Sequence, residues 1–421
     1  MKITVVGAGY VGLVTGACFS EMGHTVHVID CDPDKVVVIN EGNPPIYEQG
    51  LDELLRRNVG RSLFATSDYE PVRDSDLVFI CVGTPCGEDG CADLSMIRAA
   101  SRSVGEALLR CDHPPAVVVK STVPPGTTED IVRPLVQEAA GRSDIRYAMN
   151  PEFLREGRAI RDFFHPDRII IGSCDNGCFD TVASAYHGID APVIRTSVSA
   201  AEMIKYVSNA FLATKISFSN EMGNICKRIG IDVYEVMKGV GMDTRISPHF
   251  LDAGVGFGGS CFPKDVTALI NFAVSIGEDP IILKSVMKVN ETQADRMLTL
   301  LKSRINAIRG KKIAVLGLAF KDNTDDVRDS RAIPVIAGLI KEGALVAAFD
   351  PMANATMAKI FPGICYCSSA AEALTGAEAC LVMTEWPEFS RLDKEFDLMK
   401  SRVVIEGRRI LSYRDREGVC W

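Results

Sequence analysis

The residues most suited to chemistry lie in "GVGFGGSCFPKD", Gly254 to Asp265. The chain has 14 cysteines, yet Cys261 stands in a setting of its own, with glycines before it and Pro263, Lys264 and Asp265 after it. Proline suits the first turn of a helix, where its missing N–H costs nothing. "DVTALINFA" continues in a helical pattern, so Cys261 is expected at or just before a helix N-terminus. The free N–H groups and the dipole there favour a thiolate. Gly258 and Gly259 leave room for a substrate to approach. Asp265 follows one turn later on the same face. A carboxylate beside a thiol raises the thiol pKa, so Asp265 is better suited to ordering a water or a substrate hydroxyl. On these residues alone a buried structural cysteine remains an equal reading.

A second constellation stands at the N-terminus. Gly7, Gly9 and Gly12 spell GxGxxG between a strand and a helix. One glycine permits the tight turn, one lets backbone approach a pyrophosphate, and one lets the helix pack on the strand. The helix N-terminus offers its N–H donors to phosphate. The next strand ends in Asp30, where a carboxylate accepts from adenosine ribose hydroxyls and repels a 2′-phosphate. NAD is therefore expected rather than NADP. Lys35 lies just beyond, within reach of the same ribose. A hydride acceptor combined with a nucleophilic thiol defines a reaction. An alcohol loses a hydride to become an aldehyde, the thiolate adds to it, and the adduct loses a second hydride to give a thioester. Water then releases an acid.

These residues need rigid elements behind them. "ITVVGAG" reads as a strand, "YVGLVTGACFSEMG" as a helix and "TVHVID" as a strand, and strand patterns recur at "DLVFICVGTP", "PAVVVKSTVP" and "IRYAMNPEF". Strands alternating with helices imply a parallel sheet covered on both faces. "AAEMIKYVSNAFLATKISFSN", from Ala200 to Asn220, has no Pro or Gly. Its apolar residues Met203, Ile204, Val207, Phe211, Leu212 and Ile216 fall at helical spacing. A long helix joining two domains is expected there. After Gly310 the strand rhythm restarts with "KKIAVLGLAF", "ALVAAFDP", "ACLVMTEW" and "RVVIEGRR". The fold class is α/β, with two Rossmann-like doubly wound domains joined by a central helical domain. The expected boundaries are 1–199, 200–300 and 301–421. The second α/β part echoes the first in rhythm without an alignable sequence repeat.

Composition narrows the function classes. The chain has 421 residues, 47% hydrophobic and 24% charged, which is ordinary for a multidomain globular protein. The net charge of -9 argues against a phosphate-backbone partner, so no nucleic acid is expected. No signal peptide is read before the first strand. The apolar runs are short and broken by glycine, so no membrane partner is expected. The cysteines are scattered, and Cys365 and Cys367 are too close for a zinc pair, so no metal is expected. Mostly buried, free thiols fit a cytoplasmic protein, with one reactive thiol among inert ones. Cys81 and Cys86 flank "VGTP" and are read as packing residues open to oxidation.

The motifs "GAGYVGL", "VGTP", "KSTVPPGTT", "NPEFLREG", "KYVSNAFLATKISFSNE", "GVGFGGSCFPKD" and "GLAFKDNTDDVRDS", in that order, span nearly the whole chain. Together they resemble the UDP-glucose/GDP-mannose dehydrogenase family. The resemblance implies an NAD domain, a central helical domain and a C-terminal UDP-binding domain. It implies four-electron oxidation of a sugar C6 alcohol to a carboxylate with two NAD, through a cysteine thiohemiacetal and thioester. It makes Cys261 the nucleophile, and Lys205 and Asn209, one turn apart on the long helix, the pair that steadies the oxyanion. Asp265 works with Lys205 and water, Glu152 is the base for thioester hydrolysis, and Thr122 holds the water. For the cofactor the resemblance adds Thr84, Thr122, Glu156, Lys264 and Arg328. For the substrate it implies Glu152, Phe153, Leu154, Lys205 and Asn209, with Phe250, Phe257, Gly258, Phe320 and Lys321. Arg245 reaches a neighbouring subunit's substrate in relatives, which implies a homodimer or higher homo-oligomer. UDP-glucose is the leading substrate. A UDP-N-acetylhexosamine, GDP-mannose, a two-electron hydroxyacid oxidation and a cofactor sensor without activity stay open at this point.

Overall fold

The computed structural model describes residues 1–87, 89–413 and 415–421. The chain forms two compact units, Met1–Ser208 and Asn209–Trp421. The first unit is built on the strands β1 (Lys2–Val6), β2 (Thr25–Ile29), β3 (Leu63–Thr66), β4 (Leu77–Ile80), β5 (Ala116–Val119), β6 (Tyr147–Met149), β7 (Ile169–Ser173) and β8 (Val193–Thr196). Its helices are α1 (Tyr10–Glu21), α2 (Pro33–Asn40), α3 (Leu51–Asn58), α4 (Ser95–Ala107), α5 (Arg133–Ala140), α6 (Ala159–Phe164) and α7 (Asn176–Ser184). Helix α8, Val198–Ile229, runs through the division between the units.

The strands of the first unit form one sheet in the order β3-β2-β1-β4-β5-β6-β7-β8. Every neighbouring pair is parallel except β6 and β7, where Ala148 faces Ser173. That exception has a local cause. The connection after β6 carries only α6, a six-residue helix of about 9 Å. It does not return the chain to the other end of the sheet, so β7 runs back beside β6. Burial of β4 and β5 is complete along their lengths, as a sheet covered on both faces requires. One face packs Ile3, Val5 and Phe79 against Leu13 and Phe19 of α1, and the other packs Val6, Val78 and Ile80 with Val104 of α4 and Val136 of α5.

The second unit takes up the remainder of α8, followed by helices α9 (Val233–Gly241), α10 (Phe262–Ser275) and α11 (Ile281–Arg304). An α/β part follows: β9 (Lys312–Leu316), α12 (Ala332–Lys341), β10 (Leu345–Phe349), α13 (Asn354–Ala358), β11 (Cys365–Tyr366), α14 (Ala370–Leu374), β12 (Ala379–Val382), β13 (Val404–Glu406) and β14 (Arg416–Gly418). Its sheet, β11-β10-β9-β12-β13-β14, is parallel throughout. Among the described residues no helix is long and apolar enough to cross a membrane.

The echo between the two α/β parts extends to single hydrogen bonds. Gly7 N–H donates to Ile29 O (2.7 Å), and Gly317 N–H donates to Phe349 O (2.8 Å). Ala8 N–H donates to Asp30 Oδ2 (2.7 Å), and Leu318 N–H to Asp350 Oδ2 (2.6 Å). Both glycines have φ in the left-handed region, +102° at Gly7 and +89° at Gly317. In each sheet the strand order reverses beside the first strand, which is where such sheets open a crevice for ligands.

Space within the glycine turn differs sharply by position. A Cβ on Gly12 would stand 1.8 Å from Gly7 O, whereas a Cβ on Gly9 would meet nothing within 4 Å. Gly12→Ala should therefore destabilise the first unit by roughly 3 kcal/mol, and Gly9→Ala should stay within about 1 kcal/mol of the parent. Urea unfolding followed by circular dichroism checks both, and equal losses would contradict this packing.

Candidate active site

The first unit contributes a glycine turn and a carboxylate. Gly9 has extended φ and ψ and precedes α1, so the helix N-terminus opens at the turn. Asp30, 8% exposed, ends β2; its Oδ2 accepts from Ala8 N–H at 2.7 Å and its Oδ1 from Asp32 N–H at 3.0 Å. Those bonds aim the carboxylate at the turn. Lys35 Nζ lies 3.8 Å from Asp30 Oδ1, on a partly exposed side chain. Open space above Gly9, a helix end without acidic residues in its first turn and a fixed carboxylate together suit a dinucleotide.

At the carboxyl ends of β4 and β5, Thr84 Oγ1 donates to Thr122 O at 2.7 Å. Ser121 Oγ donates to Val82 O at 2.6 Å, so the two loops are tied together twice. Segment 150–157, which follows β6, is anchored along its length. Asn150 Oδ1 accepts from the buried Lys120 Nζ at 2.9 Å, and Tyr186 OH joins the same group. Glu152 Oε1 accepts from Lys205 Nζ at 2.9 Å, with the two side chains only 7% and 4% exposed. Glu152 Oε2 accepts from Leu154 N–H at 2.5 Å. Arg155 is bidentate to Asp162, and Gly157 N–H donates to Glu48 Oε2 at 2.7 Å. Phe153 lies under two cations, Arg168 at 4.1 Å and Lys205 at 5.5 Å. Leu154 packs against the core beside α1. Glu156 is half-buried and close enough to Tyr10 to oppose its ionisation. The Tyr10 hydroxyl is held above its usual pKa by burial first, then by its hydrogen bond to Glu48.

The second unit holds the cysteine. Cys261 is the N-cap residue of α10, with Pro263 in the first turn, and Asp265 N–H donates to Cys261 O at 2.8 Å. Its side chain is half-buried, and Ser260 Oγ lies 3.6 Å from the sulfur. Asp265, 1% exposed, accepts from Asn209 Nδ2 and from Lys264 Nζ, each at 2.6 Å. A Cβ on Gly258 would stand 2.2 Å from Asp329 O, and Gly259 N–H donates to Arg328 O at 2.9 Å. The Phe320 ring covers Gly259, whose Cβ would stand 2.7 Å from it, and Lys321 Nζ lies 5.4 Å above the same ring. Phe250 and Phe257 both meet Phe262 edge-on, at 6.2 Å and 5.9 Å.

The structure thus brings together Thr84 with Thr122, Lys205 with Glu152 and Phe153, Asn209 with Lys264 and Asp265, and the cysteine ribbon with Phe320 and Arg328. Arg245 is almost fully exposed and forks onto its near neighbour Asp243. Arg328 likewise forks onto Asp326. Phe257 is 3% exposed, so its ring is packed away. A cavity of about 410 Å³ beside α9, lined by Asp232, Tyr234, Lys238 and Arg409 among others, includes none of the expected site residues. Among the described residues no group of three or more His, Cys, Asp or Glu is placed to hold a metal ion.

The thiols correct one expectation. Cys18, Cys81, Cys178, Cys226, Cys367, Cys380 and Cys420 are buried, but Cys31, Cys86, Cys91, Cys174 and Cys365 are exposed. Cys86 is therefore no packing residue. It is exposed and pairs with Ala92 in an isolated antiparallel bridge. Sequence reasoning also missed Lys120, Asn220, Asn290 and Gln293. Each is a polar residue whose partner lies far along the chain, and local pattern carries no trace of it.

The chain matches the UDP-glucose/GDP-mannose dehydrogenase family over its NAD binding domain (residues 1–190), its central domain (199–292) and its UDP binding domain (314–413). The chain belongs to this family. A UDP-glucose 6-dehydrogenase of Haloferax volcanii is 47% identical over 99% of this chain and 98% of its own. One of Bacillus subtilis is 43% identical over 99% of this chain and 91% of its own. A solved UDP-glucose dehydrogenase of Pyrobaculum islandicum superposes with a TM-score of 0.95 at 42% identity, covering 100% of this chain and 98% of that one. A UDP-D-ManNAc dehydrogenase of Pyrococcus horikoshii gives a TM-score of 0.88 at 28% identity, with 100% and 99% coverage. As a member of the family the chain is an NAD-dependent nucleotide-sugar dehydrogenase.

Burial holds the Cys81 and Cys178 thiols up to about 12 and Cys420 up to about 11. At pH 8 their thiolate fractions are about 10⁻³ or less. Iodoacetamide at pH 8 should therefore label the exposed Cys31 within the time that leaves Cys81, Cys178 and Cys420 unmodified. Peptide mass spectrometry reads the pattern, and uniform labelling of the folded protein would contradict it.

Proposed function

We propose that this chain oxidises UDP-glucose to UDP-glucuronate in two NAD-dependent steps, with Cys261 as the covalent nucleophile. The observation that carries the reading is Cys261 at the N-cap of α10, half-open to solvent, with the buried Asp265 one turn below it. The nucleotide sugar follows from the relatives' substrate, and the division into residues 1–199, 200–300 and 301–421 belongs to the same reading.

The glycine turn of Gly7, Gly9 and Gly12 holds the pyrophosphate. Asp30 accepts from the adenosine ribose, with Lys35 at its edge. Thr84, Thr122, Glu156, Lys264 and Arg328 complete the cofactor contacts. NAD held by these residues would supply the hydride-accepting nicotinamide for each of the two oxidations at C6 of the sugar. Asp265, with Lys205 and a water, takes the proton of the C6 hydroxyl in the first. The Cys261 thiolate then adds to the aldehyde carbon, forming a C–S bond and placing negative charge on oxygen. Lys205 and Asn209 steady that charge with N–H donors. Loss of the second hydride leaves a thioester. Glu152 takes a proton from the water that Thr122 holds, hydroxide adds to the thioester carbonyl, and the C–S bond breaks to return the thiolate. Phe153, Leu154, Phe250, Phe257, Gly258, Phe320 and Lys321 shape the sugar-nucleotide site.

The reaction should yield two NADH per UDP-glucose. Cys261→Ser should lower turnover to UDP-glucuronate by about 10³-fold or more, measured by NADH absorbance and product chromatography. A yield of one from the parent enzyme would remove the double oxidation. NADP should serve at least about tenfold less efficiently than NAD, since Asp30 repels a second phosphate; equal kcat/KM values would remove the role of Asp30.

A homodimer is part of the same proposal. Phe211, Phe218, Ile225 and Ile229 lie along one face of α8, each at least half exposed. Their heptad-like spacing suits a helix partner, and an apolar stripe of this length calls for cover. Arg245 would then reach the neighbouring subunit's substrate. Phe211→Asp with Phe218→Asp should convert the protein to a monomer on light scattering behind size exclusion. A dimer that survives the pair would place the contact elsewhere.

A further inference from the structure

The ribbon ahead of Cys261 is too poor in side chains to hold itself in place. Between Gly254 and Gly259 only Val255 and Phe257 carry any. Its backbone is held from outside. Gly254 N–H donates to Asn220 Oδ1, and Gly254 O accepts from Gln293 Nε2, each at 2.7 Å. Val255 N–H donates to Gly407 O at 2.9 Å. Gly256 O accepts from Arg408. Phe257 meets a single side chain at both of its backbone groups. Its N–H donates to Asn290 Oδ1 at 2.7 Å, and its carbonyl accepts from Asn290 Nδ2 at 3.0 Å.

Asn290 is costly where it stands. It lies in the interior of α11 and is 2% exposed. Asparagine is a mediocre helix former, and a buried amide is tolerated only when its hydrogen bonds are made. Both of its polar atoms are spent on Phe257. Gln293 follows on the same face of α11, fully buried, and holds the start of the ribbon. Gly256 has φ +106°, and a Cβ there would stand 2.5 Å from Asn290 Oδ1, so the ribbon and the amide are fitted to each other.

We infer that Asn290 is a positioning residue for the Cys261 thiolate. The inference rests on the reading of Cys261 as the nucleophile. The field of a helix N-terminus falls away within its first turn. A ribbon released at Phe257 lets the N-cap residue drift, and a small drift takes the sulfur away from the first turn of α10, where the helix field is felt. Asn290 thereby acts on the chemistry without touching the substrate, while Gln293 and Asn220 fix the near end of the same ribbon.

The full-length chain tests this with two variants. Asn290→Asp keeps the shape and the acceptor for Phe257 N–H but turns a carboxylate oxygen toward Phe257 O. Asn290→Ala removes both bonds. Iodoacetamide labelling from pH 6 to 9 is read by peptide mass spectrometry, with the exposed Cys31 as internal reference. In either folded variant, Cys261 labelling at pH 7 should fall about tenfold relative to Cys31. Its labelling curve should move to higher pH, and the NADH yield per UDP-glucose should drop from two toward one. If Asn290→Ala fails to fold on circular dichroism, Asn290→Asp carries the test. A folded variant whose Cys261 curve overlays the parent, or whose Cys261 labels faster than in the parent, overturns the inference. A Cys261→Ser enzyme that still yields two NADH overturns the nucleophile itself and leaves the labelling comparison to be judged alone.

Discussion

A thiol at a helix end works only while the chain leading to it is still, and here that chain is nearly bare backbone. The ribbon from Gly254 to Gly259 passes so close to its neighbours that Cβ atoms are excluded: 2.3 Å from Gly407 O at Gly254 and 2.2 Å from Asp329 O at Gly258. Glycine is the residue that fits, and glycine brings the greatest loss of conformational entropy on ordering. The second unit offsets that loss with buried amides and with the loop from Gly317 to Arg331. Much of that unit is shaped around one short strip of chain. Helix α11 presents two amides to it, α8 presents Asn220, and the loop after β9 lays Phe320 over it.

Local rules made part of this legible. The glycine turn, Asp30 and the start of α10 each depend on neighbours within a few residues, so spacing and turn chemistry announce them. Pro263 was enough to place the end of a helix beside Cys261. Periodicity also located α8, but it did not say which way the stripe looks. Val207 and Phe211 have the spacing of a core face and point outward. The antiparallel pairing of β7 was hidden because it follows from the length of one connection. Lys120, Asn290 and Gln293 were hidden for a stronger reason. Each looks like an ordinary polar residue of a strand end or helix, and each is explained only by a partner that folding brings from a distance.

The two α/β parts share the same opening bonds but have come to differ in what those bonds leave free. Asp30 retains an edge toward the turn and an exposed lysine beside it. Asp350 accepts from Leu318, Ala319, Met352 and Ala353 N–H groups and also from Trp386 Nε1 at 3.0 Å. Its carboxylate is fully engaged within the fold. Gly9 faces open space, whereas the equivalent stretch in the second part leads into the Phe320 loop. Similar frames therefore present different surfaces at their strand ends.

The Lys205–Glu152 contact sets a rule for whatever enters the first unit. Two opposite charges lie almost wholly out of water, and separating them strands each in a medium that solvates it badly. A visitor that draws the ammonium aside must bring negative character of its own, and one that draws the carboxylate aside must bring a donor.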